Sequence, residues 1–223
     1  MNLIPIAKVT HAVGRKIRSD GLALGLYLLA SRVLQKGKSF FYQLVLHAPG
    51  INVGPGFQIM GSRFIKFGNN ISIYRNLWLE AVTEYQGENY FPVIQIGDRV
   101  RFSNGVHISA INKITIGNDV LLGSHVFISD HNHGGYSGDM HTSPTIPPSV
   151  RALHSGGAVI IEDNVWFGDN VNIVGPVRIG FGAVISANSV VRKDVPPQTI
   201  VAGAPAQIIK VYNVVSAKWE KYV

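Results

Sequence analysis

The feature that most constrains the fold is a six-residue repeat of large apolar residues between residues 161 and 195. A large apolar residue opens each block of six, and a smaller residue recurs at the fifth place of the block. The openers are Ile161, Phe167, Ile173, Ile179, Ile185 and Val191, and the fifth places hold Val165, Val171, Val177, Ala183, Ser189 and Val195. Two residues in every block are therefore expected to face a core.

This repeat excludes a long helix and favours short strands joined by corners. At about 100° per residue, the block openers would scatter around a helix axis, whereas an even period keeps them on one face of a strand. Gly, Asn and Asp recur between the apolar positions and favour turns. A coil of very short strands stacked on its neighbours, as in hexapeptide β-helices, satisfies both observations.

The same rhythm begins at Phe67, is interrupted at residues 80–93 and 134–157, and takes two extra residues between Ile108 and Ile116. We expect both interruptions to be loops extruded from corners, because stacked coils leave them no room inside. With about 18 residues to a turn, the openers predict an all-β solenoid of about five coils. The predicted segments are a helical and basic N-terminal part over 1–60, the β-helix over 61–210 and a tail over 211–223 with a short C-terminal helix.

Two asparagines mark places where the period fails. From Ile96 onward, only Asn112 and Asn132 put an amide where the small fifth-place residue belongs. Insertions often form the binding face of a solenoid, and a loop of about 24 residues without its own period suggests a function. Functional residues are therefore expected beside the second interruption.

Positive charge is concentrated at the start of the chain. The net charge is +7, and residues 1–46 contribute +6, because they hold seven basic residues against Asp20 alone. The basic residues are Lys8, Arg15, Lys16, Arg18, Arg32, Lys36 and Lys38. This distribution argues against a solenoid that binds nucleic acid. The basic residues of the segment 1–46 either contact an anionic membrane or substrate, or form a solvated face of a helix.

The apolar run at residues 21–31 is too short to cross a bilayer, which needs about 20 residues. No A-x-A-like site follows it, so a signal peptide is not expected. The pattern predicts one or two helices up to about Leu46, either packed on the end of the solenoid or lying on a membrane. The apolar side of this segment contains Leu22, Leu26, Leu29 and Val33.

Four further motifs accompany the repeat. They are residues 129–134 (SDHNHG), 163–168 (DNVWFG), 187–197 (ANSVVRKDVPP) and 201–206 (VAGAPA). With these motifs the chain, over roughly residues 65–210, resembles the hexapeptide-repeat acyltransferases, and within them the O-acetyltransferases of sugars and surface polysaccharides. The resemblance implies a left-handed parallel β-helix, a homotrimer with active sites between subunits, acetyl-CoA as donor, a saccharide acceptor and a cytoplasmic location, with peripheral membrane contact left open.

Acetyl transfer to a hydroxyl needs a base that removes the hydroxyl proton, and histidine titrates in the right range. His131 matches the catalytic histidine of the family, and His133, two residues on, is the alternate. Asn104 matches an asparagine that contacts the acceptor in sugar-acetylating relatives, although a solvated corner asparagine explains it equally well.

The resemblance also identifies a set of coenzyme-binding positions. Trp166 matches a tryptophan that flanks the acetyl group, and Ala187 matches a position whose backbone touches the pantetheine amides. The remaining matches are Asp169, which replaces a serine, the Arg192 and Lys193 pair near the nucleotide phosphates, and Lys210, which replaces an arginine of some relatives.

Three functions compete with that of a polysaccharide O-acetyltransferase. The first is a metal enzyme with a three-histidine zinc site. This site is disfavoured because the histidines do not occupy the same place in their blocks: His107 is sixth, whereas His125 and His131 are fourth. The chain has no cysteine, so thiolate chemistry is excluded, and no metal is expected. The second is acetylation of a small molecule, such as a simple sugar, an amino sugar or an antibiotic. The third is a non-catalytic trimeric scaffold.

Overall fold

A computed structural model describes residues 21–137 and 139–222. Within these residues the chain forms one α-helix, α1 (Leu22–Val45), two short 3-10 helices (Ser62–Phe64 and Pro148–Val150) and three principal β-sheets. Sheet A contains β1 (Asn52–Val53), β4 (Ser72–Arg75), β9 (Arg101–Asn104), β12 (Leu121–Leu122), β19 (Trp166–Phe167), β22 (Val184–Ile185), β24 (Thr199–Gly203), β25 (Ala206–Asn213) and β26 (Lys218–Lys221). Sheet B contains β2 (Gln58–Met60), β5 (Trp78–Ala81), β10 (His107–Ala110), β13 (Phe127–Ser129), β20 (Asn172–Val174) and β23 (Val190–Val191). Sheet C contains β3 (Ile65–Phe67), β8 (Val93–Ile96), β11 (Lys113–Ile116), β18 (Val159–Ile161) and β21 (Val177–Ile179).

The chain visits sheets A, B and C in turn, so each circuit is one coil of a parallel β-helix. The second coil is β4, β5 and β8, and the third is β9, β10 and β11. Five coils have all three strands, and a sixth has β22, β23 and a bridge between Ile179 and Val195. The first coil starts at Asn52, inside the segment 1–60 that the sequence assigned to the N-terminal part.

The core is built from the repeat positions that the sequence singles out. Every block opener from Ile73 onward is buried, and so is every fifth-place residue of the stretch 161–195, including the polar Ser189. Parallel pairing stacks these side chains in columns, for example Ile108 on Ile128 and Ile128 on Ile173. The predicted inward positions are therefore confirmed.

The corners explain the recurrence of asparagine between the apolar positions. Several corner residues of the coils adopt the left-handed region with φ between 53° and 60°, which asparagine tolerates better than most residues. Examples are Asn70 and Asn76 and, further along the chain, Asn164, Asn170 and Asn188. A left-handed residue turns the chain sharply enough to end a strand after two to four residues.

The two interruptions are ordered β structures that contact each other. The first contains a hairpin of β6 (Glu84–Tyr85) and β7 (Glu88–Asn89). The second contains β15 (Tyr136–Ser137) paired with β16 (Met140–His141), and β14 (Asn132–His133) paired with β17 (Leu153–His154). The Tyr90 hydroxyl donates to the carbonyl of Leu153 and accepts from its N–H, at 3.2 and 2.9 Å. The insertions therefore form one joint surface beside the coils.

The two ends of the solenoid differ from the sequence expectations. The helix α1 packs on the first coil through Tyr42, whose ring meets Phe57 at 5.1 Å. Of the two alternatives for the apolar stripe, packing on the solenoid is wrong, because Leu22, Leu26 and Val33 are exposed. The basic residues Lys8, Arg15, Lys16 and Arg18 lie outside the described residues.

The short C-terminal helix predicted within residues 211–223 is wrong. The chain forms the antiparallel pair β25 and β26 instead, as an extension of sheet A. Backbone hydrogen bonds to the edge of the last coil satisfy donors and acceptors that a free sheet edge would expose, and so a strand is favoured over a helix here.

Candidate active site

His131 lies at the corner where sheet B ends and the second insertion begins. Its Nδ1 atom is 2.9 Å from Oδ1 of Asp130, and its side chain is only 10% exposed. Ser129 fixes the same turn, because its hydroxyl donates to the carbonyl of His131 and accepts from the His131 N–H. The imidazole is therefore held in one place before any substrate binds.

Asp130 is fully buried, and three donors surround its carboxylate. The N–H groups of Ile111 and Asn112 donate to its two oxygens at 3.0 and 2.9 Å, and the His131 ring completes the set. A carboxylate can only accept, so Nδ1 of His131 carries the hydrogen of that contact. The other ring nitrogen, Nε2, is then the unprotonated atom that can take a proton.

His131 borders a cavity of about 440 Å³ that both insertions help to enclose. Such a volume lies in the range of roughly 300–1,000 Å³ that is typical of small-ligand sites. Its polar lining includes Glu80, Ser109 and His133, with Tyr85 from the first insertion. Both candidate histidines therefore face the same space, although His133 is exposed and only His131 has a buried carboxylate partner.

Glu80 is held in place on the floor of this cavity. The Ser109 hydroxyl donates to its Oε2 at 3.1 Å, and Nε2 of His107 lies 3.6 Å away, too far for a full hydrogen bond. Trp78 stacks on His107 with ring centroids 4.1 Å apart. Burial lowers the pKa of His107 below its usual 6.5, against the opposing effect of Glu80, so His107 is neutral near pH 7.

A second cavity, of about 610 Å³, lies on sheet A and is lined by Trp166, Asp169 and Ala187. Trp166 is half exposed and projects from β19. The coils approach closely beside it, because a Cβ on Gly168 would lie 2.6 Å from the backbone nitrogen of Ala187. One oxygen of Asp169 already accepts the Ser124 N–H at 2.6 Å, so this carboxylate also ties two coils together.

The remaining predicted residues are spread over two columns of the solenoid. Arg192 and Lys193 are exposed at the end of β23, in the column of corners that also contains His131 two coils away. Lys210 is exposed on β25, in the column of Trp166. Asn104 is the last residue of β9, and its Oδ1 accepts from the Asn76 side chain at 3.2 Å.

One chain therefore brings His131 and His133 together, and separately Trp166, Asp169 and Ala187, but the linings of the two cavities share no residue. The repeat and the motifs predict no role for Asp130 or Glu80. Asp130 precedes His131 directly, and both lie at the corner between β13 and β14, where strand alternation does not set the direction of side chains. The repeat therefore could not predict their contact. The six-residue pattern predicts a loop that begins at Glu80, whereas this residue lies in β5.

Among residues 21–137 and 139–222, no group of three or more His, Asp or Glu side chains converges in a way that could hold a metal ion.

Comparisons with known proteins identify relatives of the chain. The family described as Bacterial transferase hexapeptide (six repeats) matches residues 158–193. WbbJ of Escherichia coli (strain K12), whose name assigns it O-acetyl transfer in lipopolysaccharide biosynthesis, is 44% identical over 158 residues, or 70% of this chain and 76% of that protein. Galactoside O-acetyltransferase of the same organism is 29% identical and covers 64% of each chain.

A solved structure of AntD, an N-acyltransferase from Bacillus cereus, has the same fold. It superimposes with a TM-score of 0.59 at 21% sequence identity, over 74% of this chain and 82% of that one. At this identity the likeness concerns the fold alone.

Proposed function

Because the chain belongs to the hexapeptide-repeat acyltransferases, we propose that it is an acetyl-CoA-dependent O-acetyltransferase. The proposed acceptor is a hydroxyl of a saccharide used in bacterial surface polysaccharide biosynthesis. The observation that carries the proposal is His131, oriented by the buried Asp130 at the wall of a cavity large enough for a sugar. The similarity to WbbJ supports the surface polysaccharide over a small-molecule acceptor.

In the proposed reaction, Nε2 of His131 accepts the proton of the sugar hydroxyl while that oxygen attacks the thioester carbonyl carbon. The C–O bond forms, and the carbonyl electrons move to the oxygen of a tetrahedral intermediate. The C–S bond then breaks, and the thiolate of coenzyme A takes the proton from the imidazolium. Asp130 stabilises the positive imidazolium through the Nδ1 contact. Because Nδ1 keeps its hydrogen throughout, loss of the Nε2 proton returns the ring to its starting tautomer.

Coenzyme A is proposed to bind on sheet A beside Trp166, Asp169 and Ala187, with its phosphates near Arg192 and Lys193 or Lys210. The cavity beside Trp166 shares no lining residue with the cavity of His131 in one chain. The family resemblance implies a homotrimer with active sites between subunits, and we propose that sheet A of one subunit meets the insertions of the next there. We therefore propose that the chain forms a trimer whose active sites are shared between subunits. We also propose that the β-helix is left-handed, as the family resemblance implies. Acetyl-CoA is an intracellular donor, so the proposed location is the cytoplasm.

A glycan panel tests the acceptor class. The purified protein, given radiolabelled acetyl-CoA, is expected to label surface polysaccharides or their lipid-linked or nucleotide-linked precursors. Simple sugars, amino sugars and chloramphenicol serve as the comparison set. Comparable turnover on a free monosaccharide would replace the polysaccharide by a small-molecule acceptor, and no transfer to any acceptor would leave only a non-catalytic scaffold.

We expect Glu80→Gln to impair acceptor binding more than chemistry. The carboxylate is placed to accept hydrogen bonds from sugar hydroxyls, and charge-assisted bonds of this kind contribute about 1.5–3 kcal/mol. The acceptor KM should therefore rise roughly 10- to 100-fold, with a smaller change in kcat and none in the KM for acetyl-CoA. Glu84→Gln, on the first insertion at the same cavity, is the matched control, and an equal effect there would remove the special role of Glu80.

A further inference from the structure

The helix α1 closes the N-terminal end of the solenoid with one of its faces. Tyr42 packs on Phe57, and the Ser39 hydroxyl accepts the Val53 N–H at 2.9 Å. Leu28 and Gln35, seven residues apart and in line with Tyr42, are also partly buried. This stripe is the docking side of the helix.

The outward side of α1 is apolar, which is unusual for the cap of a solenoid. The exposed positions form two adjacent stripes with a seven-residue spacing, and their side chains are between 51 and 74% exposed. These residues are Leu26, Val33 and Phe40 in one stripe and Tyr27, Leu34 and Phe41 in the other. Terminal caps need a polar outer face to stay soluble, and a contiguous apolar patch marks an interaction site.

The charge around this apolar face is positive. The helix contains Arg32, Lys36 and Lys38 but no acidic residue. At about 100° per residue, Lys36 and Lys38 fall at the two edges of the apolar face. The Nζ of Lys38 lies 5.9 Å from the centroid of the Tyr42 ring, and its flexible side chain can turn from there toward a headgroup. An apolar face flanked by lysines on both edges is the pattern of a helix that lies in a membrane interface.

The same charge continues past the C-terminal end of the helix. A cavity of about 490 Å³ begins at Val45 and is lined by His47, Arg63 and Lys66, with no acidic side chain in its lining. The positively charged side chains of Arg63 and Lys66 could contact phosphate headgroups at the border of the apolar face. No helix of the described residues is long and apolar enough to cross a membrane.

We infer that the outward face of α1, defined by the two stripes above, binds the surface of an anionic phospholipid bilayer. The apolar side chains enter the boundary between headgroups and acyl chains, while Lys36, Lys38 and the basic cavity contact the phosphates. The solenoid then stands on the membrane by its N-terminal end. This inference does not depend on the identity of the acceptor.

Vesicle flotation with the full-length protein tests the inference. Binding is expected to vesicles of phosphatidylcholine and phosphatidylglycerol at about three to one, weakly or not at all to phosphatidylcholine alone, and to weaken at about 1 M salt. Replacing Val33 and Leu34 together by Gln should lower the partition coefficient at least about tenfold, because both side chains lose their burial. Lys36→Gln and Lys38→Gln should each lower it about fivefold.

Matched controls remove equivalent groups elsewhere. Val214 and Val215 are an exposed apolar pair in the C-terminal turn, and Lys113 and Lys218 are exposed lysines on strands. Their Gln variants should bind like the wild type, with unchanged circular dichroism in every variant. Absence of binding to anionic vesicles, or equal loss in the controls, would overturn the inference. A lower oligomeric state of the Val33 and Leu34 variant than of the wild type in ultracentrifugation would also overturn the inference. It would mean that a second copy of the chain covers this face.

Discussion

The His131→Ala variant is expected to transfer acetyl groups about 10²–10⁴-fold more slowly than the wild type. Alanine removes an imidazole that a buried carboxylate holds by one nitrogen and whose second nitrogen can accept the hydroxyl proton. General base catalysis by a positioned side chain typically contributes a rate factor of about this size. The measurement is kcat with the best acceptor of the glycan panel.

Two controls make this result specific. Coenzyme A affinity, measured by calorimetry, should stay unchanged in His131→Ala, because Trp166 and Ala187 line the separate cavity on sheet A. His133→Ala should retain most of the activity, since His133 borders the same cavity without a buried partner. If His133→Ala is inactive and His131→Ala is not, the two roles exchange and the alternate base is correct.

The Asp130→Asn variant is expected to lose both activity and stability. An amide offers one oxygen and one NH2 group, so it cannot accept all the bonds that Ile111, Asn112 and His131 donate. A buried N–H without a partner and a lost charge-assisted bond together cost about 2–4 kcal/mol in the free energy of unfolding. The imidazolium also loses its counter-charge, and kcat should fall at least about 10²-fold.

Urea unfolding at one fixed protein concentration measures the stability, and the acetyl-transfer assay measures the activity. Asp98→Asn is the matched control, because that carboxylate also accepts a backbone N–H, from Asn69 at 2.7 Å, but its side chain is 36% exposed at a corner far along the chain from His131. It should change the unfolding free energy much less than Asp130→Asn and leave kcat intact, because solvent screens an exposed carboxylate. Full activity of a folded Asp130→Asn protein would mean that the contact positions the backbone only.

The repeat predicted most of the fold because each inward position depends only on local alternation. Ile173, Ile179 and Ile185 are buried for the reason the sequence suggested, namely that an even period keeps them on one side of every short strand. The asparagine corners follow from backbone preference alone, as at Asn164 and Asn170. Such properties require no knowledge of distant parts of the chain.

The insertions and the ends could not be predicted in the same way. Two contacts in the insertions join residues that are distant in sequence. Asn132 pairs with His154, about 20 positions away, and Tyr90 contacts Leu153, about 60 positions away. The six-residue repeat does not predict contacts of this kind. The C-terminal strands replace the predicted helix because the last coil presents a sheet edge, which a local pattern does not display.

The sequence by itself determined the coil and its core and favoured His131 as the candidate base, because these depend on short-range periodicity and on a motif of adjacent residues. Only the tertiary structure decided that Asp130 orients His131, that Glu80 faces the same cavity, and that α1 turns an apolar face outward. Each of these facts depends on which side of a corner or helix a side chain occupies once the coils stack. Neighbours in space, rather than in sequence, determine that orientation.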